Sequence, residues 1–188
     1  MLFLTLDRSA PESVAALFRD GGCIWRRKWE SAAARNPTWL TELIAELPVE
    51  LTAVEAFYAG TGPGSFSGIR GGISVLQGLV LPRKKPLFGV GSIAAMAWRL
   101  RAENPLVAGD ARRGLIWVYD GSFRLLKPDA FVPGDRKVYS PEAVRVAALT
   151  GCDIASASPE PEDIGNYVLA HPDAVLTDPV PVYLQPAV

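Results

Sequence analysis

The side chains able to do chemistry are few and scattered. The single histidine, His171, stands before Pro172 in an expected surface loop. A serine or cysteine triad would need it as the base, and that setting speaks against the role. One histidine and two isolated cysteines, Cys23 and Cys152, cannot supply a zinc ligand set. The cysteines match no metal or redox spacing and are expected to be buried free thiols in a reducing compartment. Asp7 and Asp110 stand at the ends of expected strands, where active sites often lie. Asp7 reads first as a turn or cap residue, and no acid/base pair is assignable without a partner fixed in space. The basic clusters Arg26-Arg27-Lys28, Arg83-Lys84-Lys85 and Arg112-Arg113 are short and read as solvated edges rather than phosphate contacts.

The densest candidate is Ala56 to Leu81, AFYAGTGPGSFSGIRGGISVLQGLVL. It reads as strand, tight loop and helix, with Ser65 as the N-cap. Glycine loops at helix N-termini often hold phosphates. The nucleotide motifs nevertheless fail here. A phosphate loop of the Gly-x-x-x-x-Gly-Lys-Ser/Thr type needs its lysine on the terminal phosphates and its hydroxyl on magnesium, and no Gly-Lys-Ser/Thr occurs. Gly-x-Gly-x-x-Gly fails as well, because Gly60 and Gly62 lead to Ser65, and Gly62 and Gly64 lead to Ser67.

The elements that must position this stretch follow from patterning. Leu2–Leu6 is a buried first strand entering a turn, and Ser13–Arg19 and Cys23–Trp29 are two more, joined by a hairpin turn at Asp20-Gly21-Gly22. Asn36-Pro37 starts a helix carrying Trp39, Leu40, Leu43, Ile44 and Leu47 at helical spacing. After the glycine helix come a strand at Leu87–Val90 and a helix at Ser92–Leu100 capped by Ser92. A boundary near Arg101–Pro105 divides residues 1–101 from a smaller unit at 102–188. In the second unit, Leu106–Ala108 and Leu115–Tyr119 are strands around a Gly109–Gly114 turn, and Phe123–Leu126 is a third. Helices follow from Ser140-Pro141-Glu142, with Ser140 as N-cap, and over Glu162–Leu169; the proline-rich end, Pro179–Val188, is extended. No internal repeat of fixed period is visible. The order βββαβα, then strand and helix, implies a mixed sheet carrying helices. The 188 residues, 49% hydrophobic and 21% charged, suffice for a packed core. A net charge of −1 gives no global attraction to nucleic acid. No run of about 18 apolar residues exists, and the first charge comes too early for a signal peptide, so a cytoplasmic protein with no membrane association is expected.

On a helical wheel, Ser65–Val80 has two sides that ask for contact. Ile69, Ile73, Leu76 and Val80 form the bulky one. Gly68, Gly71, Gly72, Val75 and Leu79 form a smooth one, with Arg70, Ser74 and Gln77 opposite. Glycine inside a helix costs about 1 kcal/mol relative to alanine, so three on one side imply a compensating close approach. Either the chain's own helix with Trp39 and Leu43 packs there, or both helices form an intermolecular surface made of Gly68, Gly71, Gly72, Val75, Leu79, Trp39 and Leu43. Trp39 tips the balance toward an interface.

GTGPGSFSGIRGGISVLQGL resembles the signature of the TsaB (YeaZ) family, a Gly-Pro-Gly-Ser-Phe-Thr-Gly-Leu-Arg run with Ser67 here for the threonine and Ile69 for the leucine. LFLTLDRS resembles the family's opening strand and Asp, PLFGVGSIAAMA the strand and helix after the signature, GDARRGLIWVY its Asp-Ala-Arg-x-Gly turn, and PVYLQPAV its closing segment. The resemblance implies an actin-like, ribonuclease-H-like two-lobed α/β fold (ASKHA) with the second lobe abbreviated. It implies a role in making N6-threonylcarbamoyladenosine (t6A) at position 37 of tRNA, as a non-catalytic scaffold or activator of a TsaD-type enzyme, joined by a TsaE-type ATPase. A homodimer through the first two helices is expected for the chain alone, with tRNA reached indirectly. No cofactor of its own is expected, and ATP or ADP is expected only where it meets the partner. The departures are Asn36-Pro37 for a common His-Ser, Leu115 for a glutamate and Gln185 for the closing arginine. The actin-fold kinases carry glycine after the first-strand aspartate, whereas Asp7-Arg8-Ser9-Ala10-Pro11 has none. One histidine excludes the His-x-x-x-His pair of TsaD. A stand-alone actin-fold ATPase or kinase is the alternative, and a peptidase of the M22 type finds no nucleophile.

Overall fold

The structure is a computed structural model that describes residues 1–29 and 38–184. Three strands open it: β1 (Leu2–Asp7), β2 (Ser13–Arg19) and β3 (Gly22–Trp29). Helix α1 (Trp39–Glu46), β4 (Ala56–Gly60), α2 (Phe66–Val80), β5 (Leu87–Val90) and α3 (Ser92–Arg99) follow. They build a sheet of order β3-β2-β1-β4-β5, in which β1 runs antiparallel to β2 and parallel to β4. All six residues of β1 are buried, because the sheet is covered on both faces and an alternating polar pattern would bury polar groups. Leu2, Leu4 and Leu6 face α1 and α2, in a core with Trp39, Leu43, Ile69, Ile73 and Leu76. Phe3 faces the other way, into a cluster with Phe18, Tyr58 and Ala95.

A second sheet is built from β6 (Leu106–Arg112), β7 (Leu115–Tyr119), β8 (Phe123–Leu126), β9 (Val138–Ser140) and β10 (Ala155–Ser156). Helix α4 (Ala143–Thr150) lies between its last two strands. Its order, β8-β7-β6-β9-β10, repeats that of the first sheet: an antiparallel meander, then two strands parallel to the first of the three. The chain thus carries one topology twice without a visible sequence repeat. The last helix, α5 (Asp163–Ala170), returns to the first sheet, where Ile164 and Val168 join Phe3 and Phe18.

Several local expectations change. Gly91, not Ser92, is the N-cap of α3. Ser92 is fully buried, and its hydroxyl accepts from the Gly62 N–H at 3.0 Å. Glu142, not Ser140, precedes α4, and the Ser140 hydroxyl accepts from the Glu142 N–H at 3.0 Å. Strand β6 runs on to Arg112, so the expected six-residue turn shrinks to Arg113-Gly114, with Arg112 and Arg113 both at positive φ. The short strands β9 and β10 carry too few residues for a periodic signal. Both cysteines are free, but Cys23 is exposed on β3 and Cys152 half-buried, so neither is a core thiol. The helix start at Asn36-Pro37 and the residue Gln185 lie outside the described residues. Among the described residues, no helix is long and apolar enough to cross a membrane.

Candidate functional site

A cleft of about 890 Å³ lies between the two sheets. One wall is the loop after β1, with Arg8 and Ser9, and the glycine loop entering α2, from Gly64 to Gly68. The other carries Asp110, Arg112 and Trp117, and the C-terminal residues Val182, Tyr183 and Leu184 close one side.

Asp7 ends β1 and is 2% exposed. Its Oδ1 accepts from the Ser9 N–H at 2.8 Å, the turn in which an aspartate caps its own backbone two residues on. Oδ2 and the Ser9 hydroxyl have no hydrogen-bond partner among the described residues. Burial pushes the Asp7 carboxyl above its ordinary range; the Ser9 amide and, after it, the nearby Ser9 and Ser92 hydroxyls act the other way. A Cβ on Gly60 would lie 2.3 Å from this carboxyl carbon, so the strand beside Asp7 must present glycine there.

The next two residues tie the walls together. The Ser9 carbonyl accepts from the Ser65 N–H at 2.7 Å, and Ser65 caps α2 by accepting from the Gly68 N–H at 3.2 Å. Added Cβ atoms on Gly64 and Gly68 would meet the Ser9 and Arg8 carbonyl oxygens at 2.0 and 2.1 Å. Arg8 then lies along α2. Its side-chain carbons sit 3.5–3.7 Å from where a Gly72 Cβ would be, and its Nη1 3.3 Å from a Gly71 Cβ. Its guanidinium stacks over Trp39, 4.3 Å from the ring centroid, and its Nε donates to the Ser13 hydroxyl at 3.1 Å. The close approach that the helical glycines imply is therefore made by Arg8 of the same chain.

This places the seven expected interface residues. Leu43 is fully buried and Trp39 is 7% exposed; both belong to the chain's own core and offer little surface. Gly72 is buried, while Gly68, Gly71, Val75 and Leu79 are half-buried. Val75 and Leu79 also pack on the core shared by α1 and α2. What the wheel makes a smooth face is, in the fold, a seam already filled by Arg8. Arg8 carries no apolar periodicity and belongs to no motif that assigns its side chain a partner, so only the fold reveals its place.

On the opposite wall Asp110 sits in a network. The Arg112 N–H donates to its Oδ1 and the Arg112 Nη1 to its Oδ2, both at 2.7 Å, and Arg145 of α4 pairs with it as well. Arg112 also reaches Glu142 at 3.4 Å. Burial opposes ionisation of Asp110, but the Arg112 amide and the two guanidiniums outweigh it and hold the carboxyl below its ordinary range. At the mouth, Phe66 and Tyr183, each more than half exposed, pack as a tilted pair with ring centroids 5.7 Å apart, and the Arg70 guanidinium lies 5.2 Å from the Phe66 ring. The cleft thus offers hydroxyls, amides at a helix start and aromatic edges for binding. Among the described residues no group of three or more His, Cys, Asp or Glu could hold a metal ion. The Arg26-Arg27-Lys28 cluster is matched by carboxylates: Glu162 for Arg26, Glu46 for Arg27, and Glu12 and Glu160 for Lys28.

Residues 19–162 match the family model described as TsaD: tRNA N6-adenosine threonylcarbamoyltransferase. The solved YeaZ from Pseudomonas aeruginosa superposes with a TM-score of 0.74 at 26% identity, covering 97% of this chain and 99% of that one. The chain belongs to this family, on its TsaB (YeaZ) branch. Two relatives named tRNA threonylcarbamoyladenosine biosynthesis protein TsaB are similar to it: that of Escherichia coli is 31% identical over 125 residues, that of Haemophilus influenzae 34% over 123. Each match covers 62% of this chain and only about half of the relative, 53% and 52%. A second solved chain, described as an uncharacterized protein with similarity to peptidase YEAZ from Pseudomonas aeruginosa, gives a TM-score of 0.72 at 26% identity. The fold is accordingly the actin-like, ribonuclease-H-like one of the TsaB branch, with its strand order present in both sheets.

Proposed function

We propose that this chain is the TsaB-type subunit of a t6A-forming system: a non-catalytic scaffold that supports a TsaD-type enzyme acting on tRNA, with a TsaE-type ATPase as a further member. The observation that carries the reading is the YeaZ-like fold along nearly the whole chain, together with the TsaB relatives. The non-catalytic part is supported by a buried Asp7 whose described partner is the Ser9 amide rather than a base, and by a sequence with one histidine. The partner surface we assign is the half-buried side of α2 around Gly68, Gly71, Val75 and Leu79, with the Arg8 side chain that fills the glycine seam as part of it, used for the heterodimer and, in the chain alone, for a homodimer. Any ATP or ADP is held where the two proteins meet, and tRNA is reached through the complex. The test is reconstitution: TsaD and TsaE from the same source, ATP, a threonylcarbamoyl-adenylate supply and tRNA, with and without this chain. Modification that depends on the chain, and weakens with Val75→Asp, is the expected result. Modification that proceeds equally without it would overturn the assignment. The cleft keeps one second reading open, a stand-alone actin-fold ATPase; a calorimetric titration of the isolated chain with ATP and magnesium, expected to show no heat of binding, separates the two.

A further inference from the structure

The C-terminal segment crosses the cleft after α5 has ended. Leu176 pairs with Gly89 on β5 through two backbone hydrogen bonds, at 2.8 and 2.9 Å. The chain passes so close over Gly89 that a Cβ there would meet the Pro179 Cα at 3.0 Å. Beyond this anchor the attachment thins. The Val182 N–H donates to the Thr61 carbonyl at 2.8 Å, and among the described residues it is the one backbone hydrogen bond from 179–184 to the body of the protein. Val180 donates only to Asp178, two residues back, and Pro179 and Pro181 have no N–H to give. Three side chains complete the contact. Val182 lines the cleft, Tyr183 packs at a tilt against Phe66 at the start of α2, and Leu184 packs on the cluster of Ile93, Met96, Val107 and Trp117. Thr61, Phe66 and the α3 residues Ile93 and Met96 belong to the first unit, Val107 and Trp117 to the second sheet.

We propose that residues 179–184 form a releasable latch across the cleft, lying on the buried contact of Ile93 and Met96 of α3 with Val107 and Trp117 that itself holds the two walls together. The firm anchor at Leu176–Gly89 is the pivot. Val182, Tyr183 and Leu184 are the catch. Segments held by few hydrogen bonds, with half-exposed side chains, open locally at far lower free energy than the core. Release breaks the Val182–Thr61 bond and uncovers the cleft beside Phe66 and Trp117, while the Ile93, Met96, Val107 and Trp117 cluster keeps the two sheets in place.

Hydrogen exchange on the unaltered chain reads the catch directly. The Val182 amide should exchange at least 100-fold faster, relative to its intrinsic rate, than the Leu4 and Phe57 amides of the first sheet; equal protection would overturn the latch. A second measurement reads the position of the latch. Spin labels at Ser67→Cys and Val180→Cys, in a background with Cys23→Ser and Cys152→Ser, report the distance between the latch and the first wall. Adding Tyr183→Ala should broaden or lengthen the distance distribution, and an unchanged distribution in the folded variant would overturn the proposal. Should that variant fail to fold, the exchange measurement on the unaltered chain decides alone.

Discussion

Replacing single glycines of α2 separates two reasons for keeping them. At Gly68 an alanine Cβ would lie 2.1 Å from the Arg8 carbonyl oxygen and 3.0 Å from the Ser65 hydroxyl that caps the helix. Relief requires backbone to move by about 1 Å, and overpacking of this kind typically costs about 1–3 kcal/mol. Loss of the Ser65 cap adds about 1 kcal/mol, against roughly 1 kcal/mol gained from alanine's helix preference. The net expectation for Gly68→Ala is a loss of about 1–3 kcal/mol. At Gly72 the same Cβ meets only the flexible carbons of Arg8 at 3.5–3.7 Å, an ordinary contact. Here the helix gain survives, and Gly72→Ala should raise stability by about 0.5–1 kcal/mol. Urea melts of the two variants at dilute concentration, where any self-association is absent, give both numbers. The reasoning fails if Gly68→Ala is neutral or if Gly72→Ala costs more than 1 kcal/mol.

Two further predictions concern charge. Burial, opposed by the Glu160 amide and Arg99, pushes Asp163 at the start of α5 up to about 6. A raised acid binds its proton more tightly folded than unfolded, so its contribution to stability is largest at low pH and falls as the pH rises from about 4 to about 6, by roughly 3 kcal/mol at most. Asp163→Asn should remove that part of the slope; unfolding free energies of the two proteins that run parallel from pH 4.5 to 7 would refute the assignment. Asp110 is the opposite case. Its depressed carboxyl contributes stability above its unfolded value, lost only as the pH falls through the lower folded one. Asp110→Asn should therefore cost about 1–2 kcal/mol at pH 7, discounted for the half-exposed arginines around it, with the gap to the unaltered protein closing toward pH 3 in the same melts.

The first half of the fold was legible because its signals are local and repeated. The largely apolar run Leu2–Leu6 of β1 ending at Asp7, the Asp20-Gly21 hairpin, the Ser65 cap and the bulky stripe Ile69, Ile73, Leu76 and Val80 each act within a few residues and appear where patterning puts them. The second half was less so. Strands of three and two residues, β9 and β10, are held by a parallel neighbour rather than by their own composition, and the duplicated strand order rests on hydrogen bonds between distant segments, which no sequence period records.

The candidate site divides the same way. The run Gly60, Gly62, Gly64, Gly68 and Gly72 announces by itself that something comes close, since glycine in strand or helix is otherwise unfavourable. Only the tertiary structure says what comes: the Asp7 carboxylate at Gly60, the Ser9 and Arg8 carbonyls at Gly64 and Gly68, and the Arg8 side chain at Gly72. The pairing of Phe66 with Tyr183, 117 residues further along the chain, and the seating of Asp110 between Arg112 and Arg145 likewise belong to the fold. Residue types and their spacing determine which elements form and which faces must be covered. What covers them is settled only when chain segments far apart in sequence compete for the same buried surface.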